Sequence, residues 1–153
     1  RWLTRQGLGV GCSQISGFVR IAHKPWQPRA WRESGRMSEM VTVEGRRLLA
    51  LCAADEVAEE APVRVQAGGE DYAVFTLDGQ YFVTQDLCTH GPGSLAEGFV
   101  EGCEVECPFH QGKFDFRTGL PTAPPCTDPL RIWTVTLADG KVCIDPAEQR
   151  VGS

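Results

Sequence analysis

The amino-acid sequence predicts an all-β domain, and three observations predict it. Short runs of β-branched and aromatic residues recur along the chain. Two Asp-Gly dipeptides each sit between such runs. The content of Gly (17) and Pro (10) suits a globular chain rich in turns. Arg46–Cys52 reads as the first strand, and Asp55–Glu60 as one helical turn with Asp55 at its N-cap. Val63–Gln66 and Tyr72–Leu77 follow as strands. Asp78-Gly79 then turns the chain into Gln80–Gln85, because the second position of Asp-Gly accepts positive φ readily in a two-residue hairpin loop. Arg131–Leu137, Asp139-Gly140 and Lys141–Ile144 repeat the pattern, with Trp133 as a core residue whose N–H needs a partner. Between the two hairpins lies Asp86 to about Cys126, rich in Gly, Pro, Cys and His, which reads as an insert held by the β framework.

The chain has 153 residues, enough for one domain. Its formal net charge of -5 argues against a nucleic-acid partner. The longest apolar run, Leu48 to Ala54, is too short to cross a membrane. Seven cysteines, an odd number in a chain that is not a small secreted scaffold, fit reduced thiols and a cytoplasmic protein. Charge is uneven. Residues 1–36 carry seven basic residues and one acid, whereas the remainder carries eight basic and nineteen acidic residues. Residues 1–40 are therefore expected to be an N-terminal extension, 41–147 the domain, with its insert at about 86–126, and 148–153 a C-terminal tail. Arg46-Arg47-Leu48-Leu49 mimics a twin-arginine export signal, but the apolar run after it ends at Asp55-Glu56 and reads as a strand.

The insert holds Cys88-Thr89-His90 and, after sixteen intervening residues, Cys107-Pro108-Phe109-His110. Each half offers one thiolate and one imidazole. Nearby Gly91, Gly93, Gly98 and Gly112 allow loops whose backbone N–H groups turn inward toward sulfur. Two chemistries suit this donor set. One Zn²⁺ takes all four donors tetrahedrally. Alternatively, a [2Fe–2S] cluster takes two Cys on one iron and two His on the other. Zinc fingers usually pair like with like locally, whereas each loop here mixes the two types, as two loops clasping a two-metal cluster would.

These residues resemble the signature of the Rieske proteins. The resemblance extends over most of residues 45–146, including Phe114-Asp115, Thr118-Gly119 and the proline loop Ala123-Pro124-Pro125, and it is nearest to the soluble Rieske ferredoxins of bacterial aromatic ring-hydroxylating dioxygenase systems. It implies the Rieske fold, an antiparallel β sandwich or barrel with a small cluster-binding subdomain. It also implies one Rieske-type [2Fe–2S] cluster, with Cys88 and Cys107 on the buried iron and His90 and His110 on the outer one. The implied function is one-electron transfer by a monomer, from a flavin-dependent ferredoxin reductase to a terminal oxygenase. The small subunit of an assimilatory nitrite reductase shares the fold and is the alternative. A zinc module that only organises partners is a further rival.

The chain cannot be the oxygenase itself. That enzyme needs two more His and a carboxylate for a mononuclear iron, and only His23 remains. Nor is it the reductase, because Gly7-x-Gly9-x-Gly11 lacks the nucleotide-binding spacing. Glu97, Glu101, Glu104 and Glu106, between the ligand loops, are placed to steer a basic partner face. The resemblance also shows departures. Where respiratory Rieske proteins place a disulfide, this chain has Gly93 and Phe109. Where they place hydroxyl donors, it has Gly112 and Phe114. Fewer hydrogen bonds to the sulfurs disfavour the reduced, more negative state. The expected midpoint is therefore roughly −150 mV, the low end of the Rieske range, and a redox titration giving about +100 mV or more would overturn this reasoning.

Overall fold

The computed structural model describes residues 39–152. The first 38 residues of the expected N-terminal extension lie outside them. The described chain is built of eleven strands and two single 3-10 turns. Strands β1 (Glu39–Val43), β2 (Arg46–Ala53), β3 (Val63–Ala67), β4 (Glu70–Leu77), β5 (Gln80–Gln85), β10 (Arg131–Ala138) and β11 (Lys141–Val151) form one antiparallel sheet in the order β1-β2-β11-β10-β5-β4-β3. Strands β6 (Phe99–Glu101), β7 (Glu104–Glu106), β8 (Lys113–Asp115) and β9 (Pro121–Ala123) form a second antiparallel sheet within the insert. Among the described residues no helix is long and apolar enough to cross a membrane.

Both Asp-Gly hairpins form as their chemistry requires. Asp78 and Gly79 have φ of 51° and 73°, and Asp139 and Gly140 have 49° and 71°. Two further tight turns use the same conformation with less telling residues. Glu44-Gly45 joins β2 to β1, the strand that the sequence pattern did not reveal, and Gly68-Gly69 joins β3 to β4. The helical turn expected at Asp55–Glu60 is only a 3-10 turn over Ala54–Glu56. Its N-cap is Ala53, and no side chain caps it.

Strand β11 does not stop at Ile144. Its pairing with β10 slips between Trp133 and Val135, so that Val135 faces Ile144 whereas Trp133 faces Gln149. The bulge absorbs Asp145-Pro146, where a proline in a regular ladder would leave a bond unmade. Residues 148–151 thereby rejoin the sheet, ending with Val151 opposite Arg131, and so form strand where a tail was expected. Arg46 spans the bulge with ion pairs to Asp145 at 3.2 Å and Glu148 at 2.5 Å.

The large sheet curls around a first core that includes Leu49 and Leu51 of β2, Ala67 of β3, Tyr72 and Val74 of β4, Trp133 of β10 and Ile144 of β11. Trp133 is buried edge-on to Tyr72 as expected of a core residue, but its Nε1 finds no hydrogen-bond partner. A second core lies on the opposite face of β4. There Ala73 and Phe75 meet Leu95, Val100, Val105, Phe114 and Phe116 of the insert. Period-two alternation thus sends Tyr72 and Val74 one way and Ala73 and Phe75 the other. Phe75 stacks parallel on Phe116 with ring centroids 4.6 Å apart. This stack fastens the insert to the framework. Phe75→Ala should therefore lower stability by about 3–5 kcal/mol, read as an earlier midpoint of urea unfolding by circular dichroism. A shift no larger than that of a surface substitution would remove the fastening role.

Candidate metal centre

Two loops and one crossing segment make the site. The first loop leaves β5 at Asp86, whose backbone N–H donates to Asp71 O at 3.0 Å. It closes on itself through Cys88 N to Gly93 O at 2.9 Å and Leu95 N to Asp86 O at 2.8 Å. The second loop, between β7 and β8, closes through Cys107 N to Gly112 O at 2.8 Å and Gln111 N to Cys107 O at 3.0 Å. The third piece is the proline loop and Cys126. It is tied to the first loop by the Thr89 hydroxyl, which donates to Asp128 O at 2.8 Å.

The two loops bring the four predicted donors together and sort them by type. Cys88 is 3% exposed and Cys107 1%, whereas His90 and His110 are both exposed. The Cys88 and Cys107 thiols are close enough to influence one another's ionisation. The imidazole rings meet edge to face with centroids 4.9 Å apart. A buried soft pair beneath an exposed imidazole pair fits a group with two metal atoms, one for each pair. Burial pushes the Cys107 thiol above its ordinary value, while backbone N–H groups of Phe109 and His110 donate to its sulfur and pull the other way. Those same donors would stabilise the thiolate that a metal demands. Burial also pushes Cys126 up, to about 12.

Two of the closely approached glycines lie against cysteine sulfurs. A Cβ on Gly93 would lie 2.6 Å from Cys107 Sγ, so a side chain there would drive the loops apart. The same Cβ would be 3.7 Å from that of Phe109, a spacing a disulfide could bridge, and neither position carries a cysteine. A Cβ on Gly112 would collide with Cys126 Sγ. Phe114, at the other hydroxyl-less position, is wholly buried in the second core.

One residue escaped the sequence reading except as a boundary. Asp86 is 1% exposed, accepts from the Ser94 hydroxyl at 2.8 Å and from Ala96 N at 3.0 Å, and pairs with Arg64 Nε at 3.2 Å. Burial raises its carboxyl above the ordinary range, opposed by these bonds and by the Arg64 charge. Its signal was weak because a lone Asp after a strand reads as a turn residue. The acids between the loops fall on or beside the β6–β7 hairpin. There Lys113 lies 3.8 Å from Glu101 and 3.7 Å from Glu106, offsetting part of their charge.

A β framework that presents buried thiols and exposed imidazoles on two facing loops defines a protein built to hold an iron–sulfur group. Residues 47–134 match the Rieske [2Fe-2S] domain family, and the chain belongs to that family. It is 45% identical over 106 residues to the ferredoxin component of the p-cumate 2,3-dioxygenase system of Pseudomonas putida, covering 68% of this chain and 90% of that one. A chain from a complex of reduced oxygenase and oxidized ferredoxin in carbazole 1,9a-dioxygenase is 40% identical, with a TM-score of 0.60 over 63% of this chain and 91% of that one. A solved structure described as the small subunit of an NADPH nitrite reductase is 24% identical, with a TM-score of 0.57 over 64% of this chain and 97% of that one, a likeness of fold alone. The chain accordingly carries one Rieske-type [2Fe–2S] cluster and is an electron-transfer protein, not a catalytic enzyme.

Asp86→Ala removes the acceptor for two donors of the first loop and leaves Arg64 facing Asp71 alone. Each orphaned buried donor costs about 1–3 kcal/mol. The purified variant should hold less iron per chain than Asp86→Asn, which keeps one acceptor oxygen. Equal iron in both would mean that the loop does not depend on this carboxylate.

Proposed function

We propose that Cys88 and Cys107 hold the inner iron of the cluster and His90 and His110 the outer one. On this reading the chain is a one-electron carrier that serves a flavin-dependent ferredoxin reductase and the terminal oxygenase of an aromatic ring-hydroxylating dioxygenase. The observation that carries this reading is the sorting of donors by depth, thiols inside and imidazoles at the surface. The relatives named as ferredoxin components of dioxygenase systems support the choice of partners. The framework from β1 to β11 acts as one domain with residues 86–126 as its cluster-binding part, working as a monomer in the cytoplasm.

When bound, the cluster supplies one-electron oxidation and reduction. The chain's own residues decide where and how that is available. Cys88 and Cys107, closed off among Leu95, Val105 and Phe114, keep water from the sulfurs. His90 and His110 stand at the surface, where a partner can come within contact distance of their rings. Phe109, 61% exposed with its ring 6.0 Å from that of His110, adds an apolar contact beside them. Such a patch suits the small, brief encounters of electron carriers. Glu97 and Glu101 are exposed as well and favour a basic partner face.

Low-temperature electron paramagnetic resonance tests both halves of the reading, with iron and sulfide counted on the same sample. The oxidised protein should be silent. The dithionite-reduced protein should give an anisotropic signal with average g below that of all-cysteine clusters, and a flavin reductase with NADH should produce the same signal. Zinc without sulfide, or an all-cysteine spectrum, would overturn the ligand assignment. A cluster that dithionite reduces but no flavin reductase does would overturn the carrier role.

A further inference from the structure

We propose that Cys126, outside both ligand motifs, raises the reduction potential of the centre by donating its S–H to the sulfur of Cys88. The inference rests on the assignment of Cys88 as a ligand. Cys126 Sγ lies 3.9 Å from Cys88 Sγ, and between two free thiols either atom could donate. Ligation removes that ambiguity. A metal-bound cysteine is a thiolate without a proton, so Cys88 can only accept and Cys126 can only donate.

The contact is held from two sides. Gly112 of the second loop faces Cys126. A Cβ there would overlap Cys126 Sγ and sit 3.2 Å from both Cβ and N of Cys126, so the bare glycine leaves the space that the thiol fills. On the other side, the Thr89 hydroxyl binds Asp128 O and fastens the segment carrying Cys126 to the loop carrying Cys88. Cys126 is 5% exposed and packs in the same core as Leu95, Phe114 and Leu130. Apolar surroundings keep such a thiol protonated and leave it no water to bond instead.

A donor to a ligand sulfur favours the more negative, reduced state. The thiol itself neither gains nor loses an electron or a proton. It shares its proton more strongly when the accepting sulfur becomes more electron-rich. A purely structural Cys126 would affect stability but leave the potential unmoved.

The test is a spectroelectrochemical titration of the purified holoprotein and of Cys126→Ala, Cys126→Val and Cys126→Ser, with the paramagnetic spectrum of each reduced sample. Valine keeps the volume without the donor and carries the test if the alanine variant loses iron. At the potential where the unaltered protein is half reduced, the ratio of reduced to oxidised cluster should fall about three- to tenfold in the alanine and valine variants, tenfold being about 59 mV for one electron. Their g values should stay those of a two-Cys, two-His centre, and serine, which keeps a donor, should recover part of the loss. Ratios for both apolar variants within about twofold of the unaltered protein, or a serine shift equal to that of valine, would overturn the proposal. An all-cysteine spectrum from the unaltered protein would instead overturn the ligand assignment beneath it.

Discussion

The structure depends on a strand that has no solvent side. Residues 72–75 of β4 are buried on both faces, so a single stretch of four side chains completes two cores at once. An antiparallel sheet ordinarily keeps one face wet. Here the outer face of β4 is apolar because the insert sits on it, and the insert is ordered because that face is apolar. Its own strands are three residues long and could not form an independent sheet of any stability. The rigidity with which the two ligand loops confront each other is therefore borrowed from the framework, through Phe75, Phe116 and Leu95.

On that support, the site separates two environments over a short distance. Thiols lie among apolar side chains, where a bare thiolate is disfavoured and only a metal or a ring of donors stabilises the charge. Imidazoles lie in water, where a ring needs no buried partner. The same two loops produce both conditions because each places its cysteine at the loop base and its histidine two or three residues further out. Close approach demands glycine at 93 and 112, and polar closure demands Asp86, Ser94 and Thr89. Neither demand concerns the metal donors directly, yet both decide whether the donors meet.

The framework was legible where turn chemistry was explicit. Asp-Gly announced two hairpins, and β-branched runs announced β2 to β5 and β10. The misses share a cause, which is that a local pattern was overridden by pairing at long range. Glu44-Gly45 is a poor hairpin word, so β1 was hidden. Pro146 reads as a strand end, yet a bulge carries β11 past it to Val151. Within the insert the metal donors stood out because Cys and His at these spacings have few other uses. Asp86 and Cys126 did not, since a buried carboxylate and a helpful thiol are recognised by what folds against them. The sorting of donors by depth was likewise visible only once burial was known, because sequence spacing carries no depth.

The bulged strand has a consequence for the order in which the molecule can assemble. Arg46 reaches Asp145 across 99 positions of chain, and β2, paired with β1 on one side, finds its other neighbour in β11, with Cys52 opposite Val142. During synthesis the hairpins β3–β4–β5 and the whole insert emerge while β2 still shows an unsatisfied edge, an exposure that favours pairing with other chains. Strand β11, the latest of these strands to emerge, seals that edge. Until then the nascent chain already owns both ligand loops, so the metal-binding end is complete before the body that must carry it has closed.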